Sequence, residues 1–445
     1  MSMHIASSPP LHRATPPCAT RRHRPMKLAR GLVTAAVVSM AAAACAPTDA
    51  TAPVAGPTSA YSNRVVTEPA NGPWRRIVSG ETGPGSLYAL YIPREWNGDL
   101  VTVAHGFRDA ALPISIGTES YMGALRDALG TSGFAVAYSS YSENGFAVKD
   151  GAQRTHQLRG LAASELGGQP NRSFLVGFSL GGAVALSLAE QYPAQYNGAL
   201  LACGMVGGSL TQTQYLGHVR VLFDAAYGPV LDGNVLGVTP GYMVNPLAVQ
   251  QVVAQDLQTK LAQQQVPSLF AIASTAQSPL PWVPGGNAVP TMIESLITAL
   301  TFHARGINNI TSLVNGKVPF GNDETTYTLG SPAMLPGAFL SPTIAQLNGA
   351  AGRYSIAPAA RQYLSHYYTP TGALGTKVLT LHNAWDPVVP VFHEDSLAAA
   401  VARRGASGNL VQRTRAAYGH CTFDGATLMT AFAELDQWSR TGVKP

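Results

Sequence analysis

A serine that could act as a nucleophile lies in the pentapeptide Gly177-Phe178-Ser179-Leu180-Gly181. A short apolar run precedes it and a run typical of a helix follows it, so the sequence predicts a tight strand-to-helix turn at Ser179. Gly177 and Gly181 fit such a turn, because side chains two residues before and after the serine would collide with the neighbouring backbone. The pattern predicts a nucleophile elbow, although Gly-x-Ser-x-Gly alone is a weak signal.

A serine hydroxyl is a weak nucleophile at neutral pH and needs a base, which a third group holds in the right orientation. Of the eleven histidines, His420 follows the last predicted strand, whereas His105 precedes the elbow and His382 directly ends a strand. Asp386 follows the strand before that of His420, and the proline after it stops the chain from continuing as a strand. We therefore expect Ser179 as nucleophile, His420 as base and Asp386 as the orienting acid.

Two backbone N–H groups should bind the oxyanion that forms in such a reaction. One is expected from Leu180, which follows the nucleophile at the start of the helix, where the helix dipole also favours negative charge. The other is expected from Phe107, in the loop His105-Gly106-Phe107 that follows an earlier predicted strand. The sequence thus predicts an oxyanion hole made of main-chain groups.

Other candidate sites have weaker support. Glu394 and Asp395 lie inside a predicted helix, where we expect both to face solvent. Asp323 and Glu324 are a lone acidic pair, which is poor evidence for calcium. Neither a ligand spacing typical of zinc nor a Gly-rich phosphate loop with a following Lys-Ser/Thr occurs in the sequence. We predict no metal and no cofactor.

The elements that must position these residues alternate between short apolar strands and helices, which predicts a mostly parallel sheet with helices on both faces. Working residues of such sheets lie in loops at the carboxyl ends of the strands. The predicted strands are 86–92, 100–104, 134–138, 173–176, 198–202, 377–381 and 411–416. The predicted helices are 122–129, 151–166, 182–189, 392–403 and 423–439.

The alternation is interrupted between residues 204 and 375. We interpret this segment as a large, mainly helical cap or lid inserted between the two parts of the α/β core, 63–203 and 376–445; a separate domain with its own function is the alternative. Pro- and Gly-rich joints connect its predicted helices, which are 246–265, 291–314 and 358–366.

Residues 1–45 are predicted to be a leader. A basic segment that begins at Met26, the expected true start, precedes 14 apolar residues, fewer than the roughly 20 needed to span a bilayer as a helix. The run ends at Cys45 and resembles a bacterial lipoprotein signal, so lipidation of Cys45 and ordinary cleavage after Ala-x-Ala both stay open. Residues 46–62 predict a disordered tether. We expect an exported bacterial protein, either membrane-anchored or periplasmic or extracellular.

The formal net charge of +5 gives little support for nucleic-acid binding. Six of the 29 Lys and Arg residues lie in the leader, which has no acidic residue, so the rest of the chain holds 23 basic against 24 acidic residues. A folded part without excess positive charge lacks the electrostatic basis of a nucleic-acid-binding surface. The only membrane contact that we expect is through an N-terminal lipid.

The motifs together resemble the α/β-hydrolase superfamily over about residues 86–439, with the insertion unmatched. The resemblance implies an eight-stranded, mostly parallel sheet, acyl-enzyme chemistry and an ester substrate, either a small molecule or an oligomer. The resemblance implies that Ser179 is the nucleophile, His420 the general base and then acid, and Asp386 the acid that orients His420. It implies that the backbone N–H groups of Phe107 and Leu180 bind the oxyanion. The motifs are His-Gly at 105–106, the elbow, Asp-Pro-Val-Val-Pro at 386–390 and Gly-His at 419–420.

The pair His420-Cys421 is also similar to tannase and feruloyl esterase relatives, in which a cysteine before the serine bonds to one after the histidine. Here Phe178 precedes the serine. Cys203 ends the strand next to the elbow strand, so we expect it to be the partner of Cys421. A single cysteine pair in an exported domain favours a disulfide; two buried thiols are the alternative.

These observations predict an exported serine hydrolase of the esterase or lipase-like kind. A capped serine peptidase or aminopeptidase would share the three catalytic groups, and an acid in the cap that binds a substrate amino terminus would favour it. A surface lipoprotein that keeps the fold without activity is the second alternative.

Overall fold

The computed structural model describes residues 63–83, 85–117 and 119–445. The predictions for the leader and the tether, including Met26 and Cys45, fall outside these residues and stay predictions.

A single mixed sheet forms the centre of the described part, in the order β1-β2-β3-β5-β4-β6-β7-β8-β9. The six strands from β5 to β9 along this order pair in parallel, and β1, β2 and β3 add antiparallel strands at one edge. The strands are β1 (Val65–Thr67), β2 (Trp74–Glu81), β3 (Leu87–Pro93), β4 (Asp99–Ala104), β5 (Ala135–Ser139), β6 (Arg172–Phe178), β7 (Gly198–Ala202), β8 (Lys377–Trp385) and β9 (Leu410–Tyr418).

The mostly parallel sheet is confirmed, but it has nine strands rather than the eight that the resemblance implied. The additional edge strand, β1, has only three residues and all of them are exposed. Its three residues, Val-Val-Thr, are too few to show an alternating pattern in the sequence.

Helices cover both faces of the sheet because alternate side chains of a strand point to opposite faces. On β6, Leu175 packs in a core with residues of the helix after Ser179, whereas Phe174 and Val176 pack with Phe432 on the other face. The helices beside the sheet are α1 (Ser120–Thr131), α2 (Val148–Leu166), α3 (Leu180–Gln191), α10 (Phe392–Arg403) and α11 (Gly425–Thr441).

The segment between β7 and β8 contains six helices and buries a hydrophobic core of its own, which includes Leu222, Leu269, Leu296 and Phe320. Its helices are α4 (Ser209–Tyr227), α5 (Pro246–Ala262), α6 (Ser268–Ala273), α7 (Ala288–Leu313), α8 (Gly337–Ala350) and α9 (Pro358–His366). We call this segment the helical insertion. Across the described ranges, every helix is too short or too polar to be a membrane-span candidate.

A disulfide joins Cys203, directly after β7, to Cys421, shortly after β9, with the two Cα atoms 5.3 Å apart. This is the pair that the sequence analysis predicted. Both residues have left-handed backbone angles, with φ of 47° and 54°. Because β8 lies between β7 and β9 in the sheet, the bridge ties together two strand ends that have no direct pairing, and it fixes the residue next to His420.

Removing the bridge should destabilise the fold. Its cysteines are 218 positions apart, so the double variant Cys203→Ala/Cys421→Ala should lose about 2 to 5 kcal/mol of unfolding free energy, mainly because the unfolded chain gains freedom. Denaturant titration measures this loss, and the wild type with a reducing agent serves as the matched control. Peptide mapping without reduction should recover the crosslinked pair; two free thiols would contradict the bridge.

Candidate active site

Ser179 lies between β6 and α3 and has a backbone φ of 54°. Non-glycine residues rarely adopt positive φ, because this conformation costs free energy. It persists only where the surrounding structure holds the backbone in place. The turn is the strained one expected of a nucleophile elbow. Ser179 is only 8% exposed, so its hydroxyl lies in a largely closed site.

The glycines around Ser179 are required by close backbone contacts. A Cβ atom on Gly177 would overlap the carbonyl oxygen of Gly181, and one on Gly181 would overlap the carbonyl oxygen of Ala104 at the end of β4. A Cβ on Gly106 would stand 3.1 Å from the Cβ atom of Ser179. The elbow and the loop after β4 therefore pack against each other with no room for side chains.

The structure brings the three predicted catalytic side chains into one hydrogen-bonded line. His420 Nε2 lies 2.8 Å from Ser179 Oγ, and His420 Nδ1 lies 2.7 Å from Asp386 Oδ2. A carboxylate only accepts hydrogen bonds, so Nδ1 carries a proton and Nε2 is left to accept from the serine hydroxyl. This is the arrangement that allows the histidine to act as a base toward Ser179.

Asp386 is fully buried, and the turn that follows it satisfies its carboxylate. The backbone N–H groups of Val388 and Val389 donate to Asp386 Oδ1 over 2.9 and 3.0 Å. Backbone N–H donors stabilise an ionised carboxylate. Asp386 can therefore stay an acceptor toward His420 although no water reaches it.

Phe107 and Leu180, the residues expected to supply the oxyanion donors, line the same cavity as Ser179. Among the residues that the structure describes, no acceptor is paired with the backbone N–H of either residue. Two unpaired main-chain donors beside a serine hydroxyl are what a developing oxyanion requires.

The cavity at Ser179 is small, about 40 Å³, and nearly all of its lining is apolar. Helix α4 contributes Gln212 and Leu216, while α7 contributes Phe302 and Ile310. The helical insertion therefore forms one wall of the cavity and the core forms the other. Such a space suits a small apolar group rather than a charged one.

Helix α7 is attached to the loop that carries His420. The rings of Phe302 and His420 are 6.5 Å apart in an edge-to-face arrangement. Tyr418, at the end of β9, forms a hydrogen bond of 3.1 Å between its hydroxyl and Ser295 Oγ on α7. Burial raises the pKa of Tyr418 to about 12, so this hydroxyl keeps its proton at neutral pH. Helix α7 of the insertion thus contacts both His420 and the end of β9.

His105 contributes to the shape of the site and not to proton transfer. Its ring stacks on Tyr141 with centroids 3.8 Å apart, and the Tyr141 hydroxyl donates to the His105 carbonyl over 3.0 Å. Burial, together with the charge of Arg108, lowers the pKa of His105 to about 4. A histidine that stays neutral and stacked in this way supports the loop leading to Phe107.

The expectation that Glu394 faces solvent is wrong. Glu394 is 5% exposed and lies 3.2 Å, Oε1 to Nδ1, from the fully buried His382. Asp395 is exposed as expected. The signal that could have separated them is the helical period, because Glu394 shares its face of α10 with the buried Leu397 and Val401.

Three potential metal ligands come together in the described part of the chain, Cys203, Cys421 and His420, within 4.8 Å of one another. Both sulfurs are used in the disulfide. This cluster therefore does not fit a cation.

The structure has the α/β-hydrolase fold. Its features are the strand order, the elbow after β6, Asp386 after β8 and His420 after β9.

No protein-family model matches the sequence, and no curated protein matches it. Among solved structures, the chain is similar to feruloyl esterase B from Aspergillus oryzae (TM-score 0.45, 13% identity, 83% of this chain and 81% of that chain covered). It is also similar to the rice cell wall degrading esterase LipA from Xanthomonas oryzae (TM-score 0.37, 15% identity, 82% and 87% covered).

A methyl group at Gly181 should disrupt the elbow. Gly181→Ala places a Cβ against the carbonyl oxygens of Ala104 and His105, which cannot move without opening the sheet, so we expect a loss of about 1 to 3 kcal/mol or more. Gly160→Ala on α2 is the matched control, because a Cβ there meets nothing within 4 Å and alanine favours a helix by about 1 kcal/mol. Thermal unfolding measures both; equal behaviour of the two variants would contradict the close contact at the elbow.

Proposed function

We propose that the protein is an exported serine hydrolase that cleaves carboxylic esters through an acyl-enzyme. The observation that carries the proposal is the unbroken hydrogen-bonded line from Asp386 through His420 to Ser179, which ends at a small apolar cavity. In this proposal the helical insertion acts as the cap over the site. Export and a lipid on Cys45 rest on the leader sequence alone.

The first half of the reaction forms the acyl-enzyme. Ser179 Oγ attacks the ester carbonyl carbon while His420 Nε2 takes the hydroxyl proton. The carbonyl oxygen becomes an oxyanion and accepts hydrogen bonds from the N–H groups of Phe107 and Leu180. Loss of one such donor typically costs about 3 to 4 kcal/mol of transition-state stabilisation. His420 then gives its proton to the departing alkoxide, which leaves as an alcohol.

The second half returns the enzyme to its starting state. A water molecule attacks the acyl carbon and gives a proton to His420 Nε2. The bond from the acyl carbon to Ser179 Oγ then breaks, and the serine oxygen takes the proton back from His420 as the carboxylic acid leaves. Asp386 holds Nδ1–H throughout and stabilises the imidazolium that exists between proton transfers.

The lining of the cavity favours esters over aminoacyl substrates. None of the described residues that line it carries a carboxylate, so it offers nothing to pair with the free amino terminus that an aminopeptidase binds. Its volume of about 40 Å³ supports a short acyl chain as the group that enters it. We therefore propose short-chain or otherwise compact acyl esters as the substrate class.

Parallel assays test this proposal. Nitrophenyl esters of short acids should be hydrolysed faster than those of long acids and faster than aminoacyl nitroanilides. Ser179→Ala should lower kcat by a factor on the order of 10⁴ to 10⁶, whereas Ser341→Ala, an exposed serine on α8, should change nothing. Activity that survives Ser179→Ala would refute the mechanism, and preferential cleavage of anilides would favour the peptidase.

Labelling with a fluorophosphonate separates a catalyst from a binding protein that only keeps the fold. The probe should modify Ser179 and leave Ser179→Ala unlabelled, because only an activated serine attacks phosphorus at a useful rate. Failure of the wild type to label would favour the non-catalytic surface lipoprotein.

A further inference from the structure

A second histidine and a second carboxylate lie buried directly behind Asp386. His382, on β8, has no solvent exposure, and Glu394, in the first turn of α10, has 5%. His382 Nδ1 is 3.2 Å from Glu394 Oε1, and His382 Nε2 is 3.7 Å from Asp386 Oδ2. The imidazole of His382 thus stands between two buried acids.

The hydrogen-bond partners of His382 define where its protons are. Its Nε2 lies 2.7 Å from the carbonyl oxygen of Val389. A carbonyl oxygen can only accept, so Nε2 carries a hydrogen. Its Nδ1 faces the carboxylate of Glu394 and, as the donor of a charge-assisted bond, carries the second one. His382 is then an imidazolium with both of its N–H groups paired inside the protein.

The hydrogen-bond donors around Glu394 suit the anion of this pair. Its Oε2 atom accepts from the hydroxyl of Thr380 and, over 2.7 Å, from Nε2 of Gln412. Two donors on one carboxylate oxygen favour the ionised form. Burial alone would lower the pKa of His382, but the hydrogen bond and charge of Glu394, with the charge of Asp386, raise it.

We propose that His382 and Glu394 are positioning residues that form a buried ion pair, with its positive end directed at Asp386, and thereby keep Asp386 ionised and correctly placed. The inference rests on the proposed hydrolase mechanism, in which Asp386 must stay an acceptor for His420. The pair does so in two ways, one electrostatic and one geometric.

The electrostatic contribution follows from the order of charges. The cation of the pair lies on the side of Asp386 and the anion lies beyond it. In a buried site a positive charge within about 4 to 6 Å favours ionisation of a carboxylate.

The geometric contribution comes through the turn after Asp386. The carbonyl of Val389 is held by His382, while the N–H groups of Val388 and Val389 donate to Asp386 Oδ1. Loss of the bond from His382 would free this turn to rotate. The same side chain therefore fixes both the charge and the direction of the carboxylate.

The other titratable groups around the pair do not change charge between about pH 5 and 9. Burial and the charge of His382 lower the pKa of His393, on α10, to about 3. Burial raises the pKa of Tyr215, on α4, far above its usual value, and that of Tyr418, on β9, to about 12. A pH profile in this range therefore reports on the pair and on the proposed catalytic residues.

The pH dependence of kcat/KM tests the proposal. The mechanism needs Asp386 as an ionised acceptor, and His382→Gln removes the positive charge that favours this form, so the variant should lose activity at a higher pH than the wild type does. The acid limb should move up by about one pH unit. Glu394→Gln should move it in the same direction by less, because His382 then loses its partner and its charge while one anion is also removed. Asp395→Asn, an exposed neighbour on the same helix, is the matched control and should leave the profile unchanged.

A merely structural role gives a different result. If the pair only supports the fold, each of His382→Gln and Glu394→Gln would lower kcat/KM by the same factor at every pH, and the acid limb would not move. This outcome would overturn the proposal. If His382→Gln does not fold, Glu394→Gln carries the test alone. Fluorophosphonate labelling of the wild type separates failure of the proposed function from failure of the ion-pair proposal. A wild type that is not labelled refutes the hydrolase. A wild type that is labelled, with variants whose acid limb does not move, refutes only the ion pair.

The unmodified protein offers a direct measurement that needs no variant. At pH 8 an ordinary histidine, with a pKa near 6.5, has lost one ring proton. Nitrogen-15 spectra of the histidine side chains should instead show one ring with both N–H protons retained. If every ring has lost a proton at this pH, the ion pair does not exist.

Discussion

The hydrogen bond between His420 and Ser179 joins two residues that are 241 positions apart in the chain, over 2.8 Å. Parallel pairing of neighbouring strands makes this contact possible, because it brings the ends of β6, β8 and β9 to the same edge of the sheet. Ser179, Asp386 and His420, the proposed nucleophile, acid and base, each follow one of these strands, and the loop with Phe107 follows β4, which pairs with β6. The geometry of the site thus depends on the register of the sheet more than on any one loop.

Burial gives the site its electrostatic character. It lowers the pKa of His105 and His218 to about 4 and that of His303 and His393 to about 3, so these histidines are neutral. His382 is as deeply buried as they are but differs in its neighbours, since two carboxylates outweigh the cost of burying its charge. The interior therefore excludes charge except where a partner of opposite sign is supplied.

Much of the core could be predicted from the sequence, because buried parallel strands are short apolar runs and the polar residues that follow them are easy to recognise. Ser179, Asp386 and His420 were selected as candidates in this way, and the structure places their side chains in hydrogen-bond contact. Helix α4 was not predicted, since residues 215–223 are all buried, His218 and Arg220 among them, and a helix that is buried on every side shows no amphipathic stripe. Glu394 was placed in solvent because carboxylates seldom lie inside. The helical period of α10 could have indicated its burial, whereas its contact with His382 comes from tertiary packing and could not be predicted.

The disulfide between Cys203 and Cys421 encloses the whole helical insertion in a covalent ring. Ser179 lies before this ring, and His420 immediately precedes the residue that closes it. A single proteolytic cut within the insertion would therefore yield two fragments, one with Ser179 and one with His420, still linked through the disulfide. The insertion can thus be cut, or change in length during evolution, while the two parts of the candidate site stay covalently joined.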